Sequence, residues 1–126
     1  MQRNALGWYR KHFYIPAEDS NKIISVEFDG VFRDCILWIN EHYIGRHTSD
    51  YTGFRYDISD YIRYGSDNVL TLRVDISQVE GWFYEGGGIY RHVWLTKTGK
   101  LYIIDESLFI PKIFYFLFFL IKVFLY

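Results

Sequence analysis

Residues 69–75, VLTLRVD, alternate apolar and polar side chains, and this regular pattern decides the fold class. Leu70, Leu72 and Val74 lie on one side of the segment, while the polar residues between them lie on the other. An alternation with a period of two predicts a half-buried β-strand rather than a helix. The cluster GSDN at residues 65–68 predicts a turn immediately before this strand.

Segments of similar length with strand-like patterns lie on both sides of this strand. Ile24, Val26 and Phe28 share one face of residues 22–28, whereas residues 34–40, DCILWIN, are apolar on both faces and predict an interior strand. Several short strands with turn signals between them indicate an all-β, antiparallel sandwich. The predicted strands are residues 8–15, 22–28, 34–40, 43–47, 53–58, 69–75, 89–96 and 100–104.

The segments between these strands carry turn signals. Pro16 ends the first predicted strand because it has no N–H for a ladder hydrogen bond. Residues 40–42, NEH, predict a hairpin connection, and residues 59–64, SDYIRY, predict one helical turn with Ser59 as its N-cap. No helix-length periodic segment occurs before residue 107, so a βαβ sheet is not expected.

The length and charge of the chain exclude several classes of protein. Its 126 residues allow one domain, but not a core plus a catalytic barrel, which takes about 250 residues. With 14 Lys and Arg against 15 Asp and Glu, the net charge is -1, so a nucleic-acid partner is not expected. Cys35 is the single cysteine and cannot form an internal disulfide, while aromatic residues make up 21% of the chain.

The composition changes near residue 107. Residues 113–126, IFYFLFFLIKVFLY, contain one charged residue, Lys122, and seven aromatic residues. We therefore divide the chain into residues 1–107, a partial β domain, and residues 108–126, a hydrophobic aromatic tail that we do not expect to belong to that domain.

Three interpretations of this tail remain open. Its 19 residues approach the ~20 that span a bilayer, but Pro111, Lys112 and Lys122 interrupt the run of a membrane anchor. Its apolar part also suits a buried strand or helix of the fold. We favour a third interpretation, in which AT-rich DNA read in a shifted frame encodes the tail, because Phe, Ile, Leu, Tyr and Lys have AT-rich codons.

Metal binding and thiol chemistry are not expected. His12, His42, His47 and His92 include no pair at i, i+4, and a metal site needs ligands that converge, so we interpret them as structural residues. Cys35 lies in an apolar strand, where a thiol without a cationic neighbour is inert. The sequence therefore predicts no metal site and no cofactor.

The glycine-rich loop at residues 76–88 carries the strongest candidate binding residues. Its segment EGWFYE places three aromatic residues between Glu80 and Glu85. Aromatic faces pack against the C–H faces of sugar rings, carboxylates accept hydrogen bonds from hydroxyls, and an apolar body with a few polar groups is typical of a small-ligand site. One alternative is that the aromatic side chains only cap the core. A glycosidase needs two carboxyl groups about 5–10 Å apart and a raised pKa in one of them. The alternative for Glu80 and Glu85 is that they are only solvated loop charges.

Five short motifs occur in a characteristic order along the chain. They are GWYRK at 7–11, FDGV at 28–31, IN at 39–40 with Gly45, GF at 53–54 with residues 57–58, and GIYR at 88–91 with Val93 and Leu95. Together they resemble the N-terminal sugar-binding domain of glycoside hydrolase family 2, over roughly residues 5–104. That family includes β-galactosidases, β-glucuronidases and β-mannosidases, and the loop EGWFYEGGGIYRHVWL is most similar to the bacterial β-galactosidase branch.

The resemblance implies a jelly-roll sandwich of the galactose-binding-domain type, in agreement with the strand pattern. In the family, a separate (β/α)₈ barrel carries both catalytic glutamates, and the jelly roll lends one loop to the rim of the sugar site. Carried over to this chain, that loop spans about residues 78–88, and the expected substrate-facing residues are Glu80, Trp82, Tyr84 and Glu85. No catalytic residue is expected.

The chain also differs from the family pattern. Family members have several dozen residues before the GWYRK strand, whereas this chain starts seven residues before Trp8 and does not include the barrel. We therefore expect a jelly roll that is incomplete at its N-terminus and exposes strand edges and core. Arg10, Asp29 and Arg91 resemble structural members of the motifs.

The expected function is that of a fragment of a family 2 glycosidase whose complete form hydrolyses a terminal β-galactoside or a similar glycoside with retention. Its expected partners are a carbohydrate substrate and the catalytic domain of the parent enzyme. The alternatives are a stand-alone carbohydrate-binding module and an interaction domain tethered to a membrane by residues 108–126. Residues 1–12 lack the apolar segment of a secretory signal, but in this family a signal would precede the absent strands, so the compartment stays open.

Overall fold

The alternating segments form strands in the computed structural model, which describes residues 6–49, 51–77 and 87–103. Within these ranges the chain forms strands and two short 3₁₀ helices, and no helix there is long and apolar enough to cross a membrane. The all-β class is therefore confirmed, while the boundary predicted at residue 107 and the tail lie outside the described residues. The strands are β1 (Leu6–Ile15), β2 (Ile23–Phe28), β3 (Val31–Phe32), β4 (Asp34–Ile39), β5 (His42–His47), β6 (Phe54–Asp57), β7 (Ser66–Asp75), β8 (Gly88–Ile89) and β9 (Val93–Thr98), and the 3₁₀ helices are Ala17–Asn21 and Ser59–Tyr61.

The larger sheet has the strand order β1-β7-β4-β5, and all neighbours are antiparallel. Leu72 of β7 lies opposite both Tyr9 of β1 and Leu37 of β4, so β7 is an interior strand. β4 is also interior because it pairs with β5 on its other side. The prediction of an interior strand at β4 is confirmed, but its two faces are not equally buried. Leu37 is 1% exposed, whereas Ile36 and Trp38 on the opposite face are only half-buried.

The smaller sheet has the order β6-β2-β9, and β3 and β8 form a separate two-stranded pair. Ile24, Val26 and Phe28, which were predicted to share one face of β2, are at most 1% exposed. They belong to the same buried cluster as Leu37 and Leu72 of the larger sheet. The core therefore lies between the two sheets, and the predicted two-layer sandwich is confirmed.

The predicted hairpin between β4 and β5 is confirmed. Asn40 and Glu41 are its two central residues, and their φ angles of 48° and 74° match the mirror-image turn that connects two twisted strands. The Asn40 amide group donates hydrogen bonds to Asn68 Oδ1 at 2.7 Å and to the Tyr61 carbonyl at 2.8 Å. Its Oδ1 accepts the N–H of Val69 at 2.9 Å, so the turn is tied to β7.

The turn predicted at residues 65–68 is wrong beyond its first residue. Gly65 has a φ of 73° and completes the turn, whereas Ser66 already belongs to β7 and lies opposite Ile15 of β1. Asn68 is a buried strand residue whose amide group bonds to the backbone of Arg63 and Ser66 and to the side chain of Asn40 in the β4–β5 turn. The tertiary hydrogen bonds of this amide therefore override the turn preference of asparagine.

The N-cap predicted at Ser59 is also wrong. Ser59 lies inside the second 3₁₀ helix, and Asp57 Oδ1 accepts its N–H at 2.9 Å and its hydroxyl at 2.6 Å. The Ser59 hydroxyl oxygen accepts the N–H of Ile24 at 2.9 Å instead, which ties this helix to β2. The strand predicted at residues 100–104 is not formed in its described part, residues 100–103.

The two sheets pack closely along the margin between β5 and β6, which we term the closed margin. The Tyr56 hydroxyl donates to the Arg46 carbonyl at 3.1 Å. The Tyr56 ring lies so close to Gly45 that a Cβ added there would be 2.6 Å from a ring carbon. Phe54 stacks on His47 with ring centroids 4.2 Å apart, so side chains from both sheets fill this margin.

The margin between β1 and β9 is open in the described part of the chain, and we term it the open margin. Val93 and Leu95 lie opposite Phe28 and Val26, so they point to the inner face of the smaller sheet. They are nevertheless 42% and 40% exposed, and Tyr9 on the facing edge is 39% exposed. An apolar cavity of about 480 Å³ therefore lies between the two edge strands.

Asp19 closes one end of the open margin. It lies in the first 3₁₀ helix, just after β1, and its carboxylate contacts Lys97 of β9 and Lys22, both at 2.6 Å. Hydrogen bonds from Lys22 and then Lys97 hold the pKa of Asp19 below its usual range. This ion pair connects the end of β1 to β9.

Candidate functional site

The candidate substrate loop leaves the sandwich after β7 and returns before β8. The residues predicted to face the substrate, Glu80, Trp82, Tyr84 and Glu85, lie outside the described residues. The described residues on either side show how the sandwich holds the two ends of this loop.

Asp75 fixes the chain where it leaves β7. Its Oδ1 accepts the N–H of Ser77 at 2.9 Å, and its Oδ2 accepts a guanidinium N–H of Arg73 at 3.0 Å. Hydrogen bonds from the Ser77 side chain and backbone, with the nearby charge of Arg73, hold the pKa of Asp75 below its usual range. A general acid needs a raised pKa, so Asp75 is an anchor of the loop and not a catalytic acid.

Two glycines lie where the chain returns to β8, and the backbone conformation requires the glycine at Gly88. Gly88 has a φ of 110°, which residues with a side chain rarely adopt, and a Cβ there would overlap the Tyr9 hydroxyl. A Cβ on Gly87 would overlap the side chain of Ile76. Since Ile76 directly follows β7, the described ends of the loop are in contact with each other.

The pairing of β8 with β3 holds the returning chain in position. Val31 lies opposite Ile89, and the N–H of Tyr90 donates to the Gly30 carbonyl at 3.4 Å. The Tyr90 ring covers Gly30 so closely that a Cβ there would be 2.5 Å from a ring carbon. The single strand predicted over residues 89–96 is therefore wrong, because β8 and β9 are two separate strands with different partners.

Asp29 and Arg91 make structural contacts at this end of the sandwich. The Trp94 indole N–H donates to Asp29 Oδ2 at 3.0 Å, and the Asp29 N–H donates to the His92 carbonyl at 3.0 Å. The Arg91 guanidinium lies 5.4 Å from the centroid of the Tyr90 ring. These contacts agree with the structural roles that the resemblance implies for both residues.

His42 and His47 pack against aromatic rings, and Cys35 is buried. His47 stacks on Phe54 with centroids 4.2 Å apart, and the His42 ring lies 5.5 Å from that of Tyr61. Burial raises the pKa of the Cys35 thiol to about 11, so it holds its proton at neutral pH. In the described ranges, no three His, Cys, Asp or Glu side chains converge as metal ligands.

A second concave region lies on the outer face of the larger sheet, and the sequence analysis missed it. This outer-face cleft has a volume of about 360 Å³ and combines guanidinium, imidazole, indole and carboxylate groups. Its lining comes from β1, β4, β7, the β4–β5 turn and the segment that precedes β7. The lining residues are Arg10, His12, Trp38, Asn40, Glu41, Arg63, Val69 and Thr71.

The sequence contained part of the signal for this cleft. Arg10 and His12 alternate with Tyr9 and Lys11 along β1. Tyr9 and Lys11 lie opposite Leu72 and Leu70 and so share the inner face, which places Arg10 and His12 on the outer face. Their meeting with Trp38 depends on β7 pairing with both β1 and β4, which no local pattern shows. Arg10, which the resemblance gave as a structural residue, lines this cleft.

Comparisons with known proteins cover most of the described sandwich. The family profile described as "Glycosyl hydrolases family 2, sugar binding domain" matches residues 1–99. The chain is 41% identical to "Beta-galactosidase BoGH2A" of Bacteroides ovatus over 99 residues, which is 78% of this chain and 12% of that protein. It is 35% identical to a beta-glucuronidase of Bacteroides fragilis over 104 residues, which is 78% of this chain and 15% of that protein.

Solved structures give the same match. The chain superposes with a TM-score of 0.73 and 42% identity on a glycosyl hydrolase family 2 member from Bacteroides cellulosilyticus, over 75% of this chain and 13% of that one. It superposes with a TM-score of 0.74 and 26% identity on a beta-glucuronidase from glycoside hydrolase family 2, over 78% of this chain and 12% of that one. The matched part therefore spans about an eighth of the length of these relatives.

Proposed function

Because this chain belongs to the sugar-binding domains of glycosyl hydrolase family 2, we propose that it serves as the non-catalytic module of a larger glycosidase. The observation that carries this proposal is that residues 1–99 match the family profile and the sandwich superposes on a family 2 structure with a TM-score of 0.73. The described residues supply a rigid sandwich and an anchored loop base. The one loop-base carboxylate that is described, Asp75, has a lowered pKa and so is unsuited to proton donation.

The reaction of the larger enzyme is the hydrolysis of a terminal β-galactoside or a related β-glycoside with retention of configuration. Relatives named as β-galactosidase and β-glucuronidase support a β-linked hexose or uronic acid as the substrate class. In a retaining glycosidase, two carboxyl groups about 5–5.5 Å apart act as nucleophile and as acid and base. We assign both to a separate catalytic domain, and the role of this module is to complete the rim of the sugar site.

The contribution of this module is the loop that contains Glu80, Trp82, Tyr84 and Glu85. The contact between Ile76 and Gly87 fixes the separation of the loop ends, so the chain leaves the sandwich and returns to it at one place. A loop on a rigid base loses less conformational entropy when it binds a ligand. Its aromatic rings would pack on the substrate sugar, and its carboxylates would accept hydroxyl hydrogen bonds.

A domain exchange tests this proposal. Residues 1–107 of this chain would replace the matching segment of the Bacteroides ovatus β-galactosidase to which it is 41% identical. The chimera is expected to hydrolyse a chromogenic β-galactoside, and Trp82→Ala in the chimera is expected to raise KM about tenfold, because a substrate contact worth about 1.4 kcal/mol is lost.

Lys100→Gln is the matched control, since Lys100 is an exposed residue beyond β9, and it should leave KM unchanged. A folded chimera without activity would contradict the assignment of the domain. A Trp82→Ala chimera with the KM of its parent would contradict the role of the loop.

A further inference from the structure

We propose that the outer-face cleft is a second saccharide site, and that it binds an acidic sugar through Arg10, Arg63 and Trp38. The cleft lies on the opposite face of the larger sheet from the core, and its lining includes none of the described residues at the loop base, 75–77 and 87. From Thr71 in the cleft to Ser77 at the loop base, the chain runs six residues, or about 20 Å at ~3.3 Å per residue. The two sites therefore use different residues.

The register of the sheet brings the polar and aromatic groups of the cleft together. Thr71 of β7 lies opposite Arg10 of β1 and Trp38 of β4, so these three residues form one row across the outer face. His12 lies opposite Val69 in the next row along β1 and β7. Directly paired residues share a face, so both rows line the same concave surface.

Buried hydrogen bonds make the floor of the cleft rigid. Asn68 Oδ1 accepts the N–H of Arg63 at 2.8 Å, and its amide donates to the Arg63 carbonyl at 3.0 Å. Asn40 joins the same network through Asn68 and Val69. The backbone at Arg63 and at the turn containing Glu41 is thus fixed before any ligand binds, which lowers the entropy cost of binding.

The guanidinium groups in the cleft favour an anion. Among the described residues, neither Arg10 nor Arg63 has a carboxylate within ion-pair distance, and Glu41 is the one carboxylate that lines the cleft. A guanidinium presents N–H groups in a fork that matches a carboxylate or a sulfate, and such charge-assisted hydrogen bonds are about twice as strong as neutral ones. A ligand that carries one of these groups can accept such hydrogen bonds in the cleft.

The indole of Trp38 provides the apolar surface for a sugar ring. It stacks on Trp8 with ring centroids 5.7 Å apart and an angle of 25° between the planes, and the edge of Tyr43 meets it at 6.5 Å. These contacts fix the orientation of the indole while part of it stays exposed. The combination of a fixed aromatic face, two guanidinium groups and a volume of about 360 Å³ fits a small acidic saccharide.

Calorimetric titration of the full chain with trigalacturonate tests the proposal, and its methyl ester is the matched neutral ligand. We expect the acid to bind with a Kd of about 1 mM or below and the ester to bind at least about tenfold more weakly, because only the acid can pair with the arginines. A sulfated galactose disaccharide distinguishes sulfate from carboxylate recognition, and inorganic sulfate alone tests whether the anion suffices. No heat with any saccharide up to about 10 mM, equal affinity for acid and ester, or full affinity for inorganic sulfate would overturn the proposal.

Variants locate the site. Arg10→Gln and Arg63→Gln are each expected to weaken binding of the acid about tenfold, because each removes a charge-assisted hydrogen bond from an exposed surface position. Lys100→Gln removes the same charge from an exposed residue beyond β9 and should leave the affinity unchanged. If all three variants weaken binding equally, the attraction is non-specific and the proposal is wrong.

Two further variants separate this site from the candidate substrate loop. Trp82→Ala should not change the affinity for trigalacturonate, whereas Trp38→Leu should weaken both the acid and its ester. Circular dichroism of each variant confirms that the sandwich is intact. Loss of binding with Trp82→Ala but not with Arg63→Gln would place the ligand at the loop and overturn the proposal.

Discussion

The closed and the open margins of the sandwich are built from strands of similar pattern, yet they pack differently. At the closed margin, Tyr56 covers Gly45, and Phe54 stacks on His47, so β5 and β6 are in contact. At the open margin, Val93 and Leu95 point to the inner face but remain 42% and 40% exposed. The difference shows that alternation fixes which way a side chain points, while burial depends on what the facing sheet supplies.

The comparison also shows where the sandwich is vulnerable. In the described part of the chain, β1 pairs only with β7, and β9 pairs only with β2, so both strands that border the open margin are edge strands. Exposed edges beside apolar surface favour association with other chains. In the described residues, β5 and β6 at the closed margin are also edge strands. There the side chains of the two sheets are in contact, whereas at the open margin Val93 and Leu95 stay exposed beside the edges.

Truncation of one side chain at each margin should give the largest contrast. Phe54→Ala removes one ring, whose centroid lies 4.9 Å from that of Phe28 and 4.2 Å from that of His47. It should lower the free energy of unfolding by about 3 kcal/mol. Leu95→Ala removes a side chain that is already 40% exposed, and should cost less than about 1 kcal/mol. Urea unfolding followed by fluorescence measures both, and equal losses would contradict the comparison.

Addition of one methyl group should also destabilise the closed margin more than the open margin, but by a smaller amount than the truncations do. The Cβ of Gly45→Ala would lie 2.6 Å from the Tyr56 ring, so the ring must move and the hydrogen bond to Arg46 weakens, at a cost of about 1–2 kcal/mol. In Gly7→Ala the nearest atom, in the Tyr9 ring, is at an ordinary contact distance of 3.6 Å.

Gly7→Ala is therefore the matched control within β1 of the open margin. It should leave the urea midpoint unchanged or raise it slightly, because alanine loses less backbone entropy than glycine on folding. A larger loss for Gly7→Ala than for Gly45→Ala would show that the open margin is packed in solution.

The smallest expected effect is the acid dependence of the Asp19 contact. Lys22 and Lys97 lower the pKa of Asp19 in the folded state, so the folded protein binds this proton at a lower pH than the unfolded chain does. The resulting stability is present at a pH above 3.8, the ordinary pKa of this carboxyl group, and it is lost as the pH falls through the lowered pKa of the folded state.

Asp19→Asn should therefore lower the urea midpoint at pH 7 and make it less sensitive to pH below about 4. Asp67→Asn, at an exposed position of β7, is the control and should change neither quantity. If Asp19→Asn keeps the acid dependence of the parent chain, the contact does not stabilise the open margin.

The sequence predicted the strands well where alternation and burial agree. Ile24, Val26 and Phe28 of β2, and Leu72 of β7, are buried as their spacing indicates. The prediction of a turn at Asn68 failed because its side chain also bonds to Asn40, 28 residues away, and a local pattern does not contain that partner.

The candidate sites could be predicted only in part for the same reason. Glu80, Trp82, Tyr84 and Glu85 were singled out by composition and by the resemblance, and their roles stay a prediction. Arg10, Trp38 and Arg63 were not combined into one site, since they meet only through the pairing of β7 and the network around Asn68. The open margin was likewise beyond local pattern, because it depends on which strands are neighbours.

The most direct test of the account is hydrolysis by the chain on its own. The full chain would be incubated with chromogenic β-galactoside and β-glucuronide beside the Glu80→Ala/Glu85→Ala double variant. A sandwich that only completes the rim of a sugar site predicts the same background release for both proteins. Turnover by the parent chain above that of the double variant would mean that this chain carries its own catalytic acids, and would contradict the account.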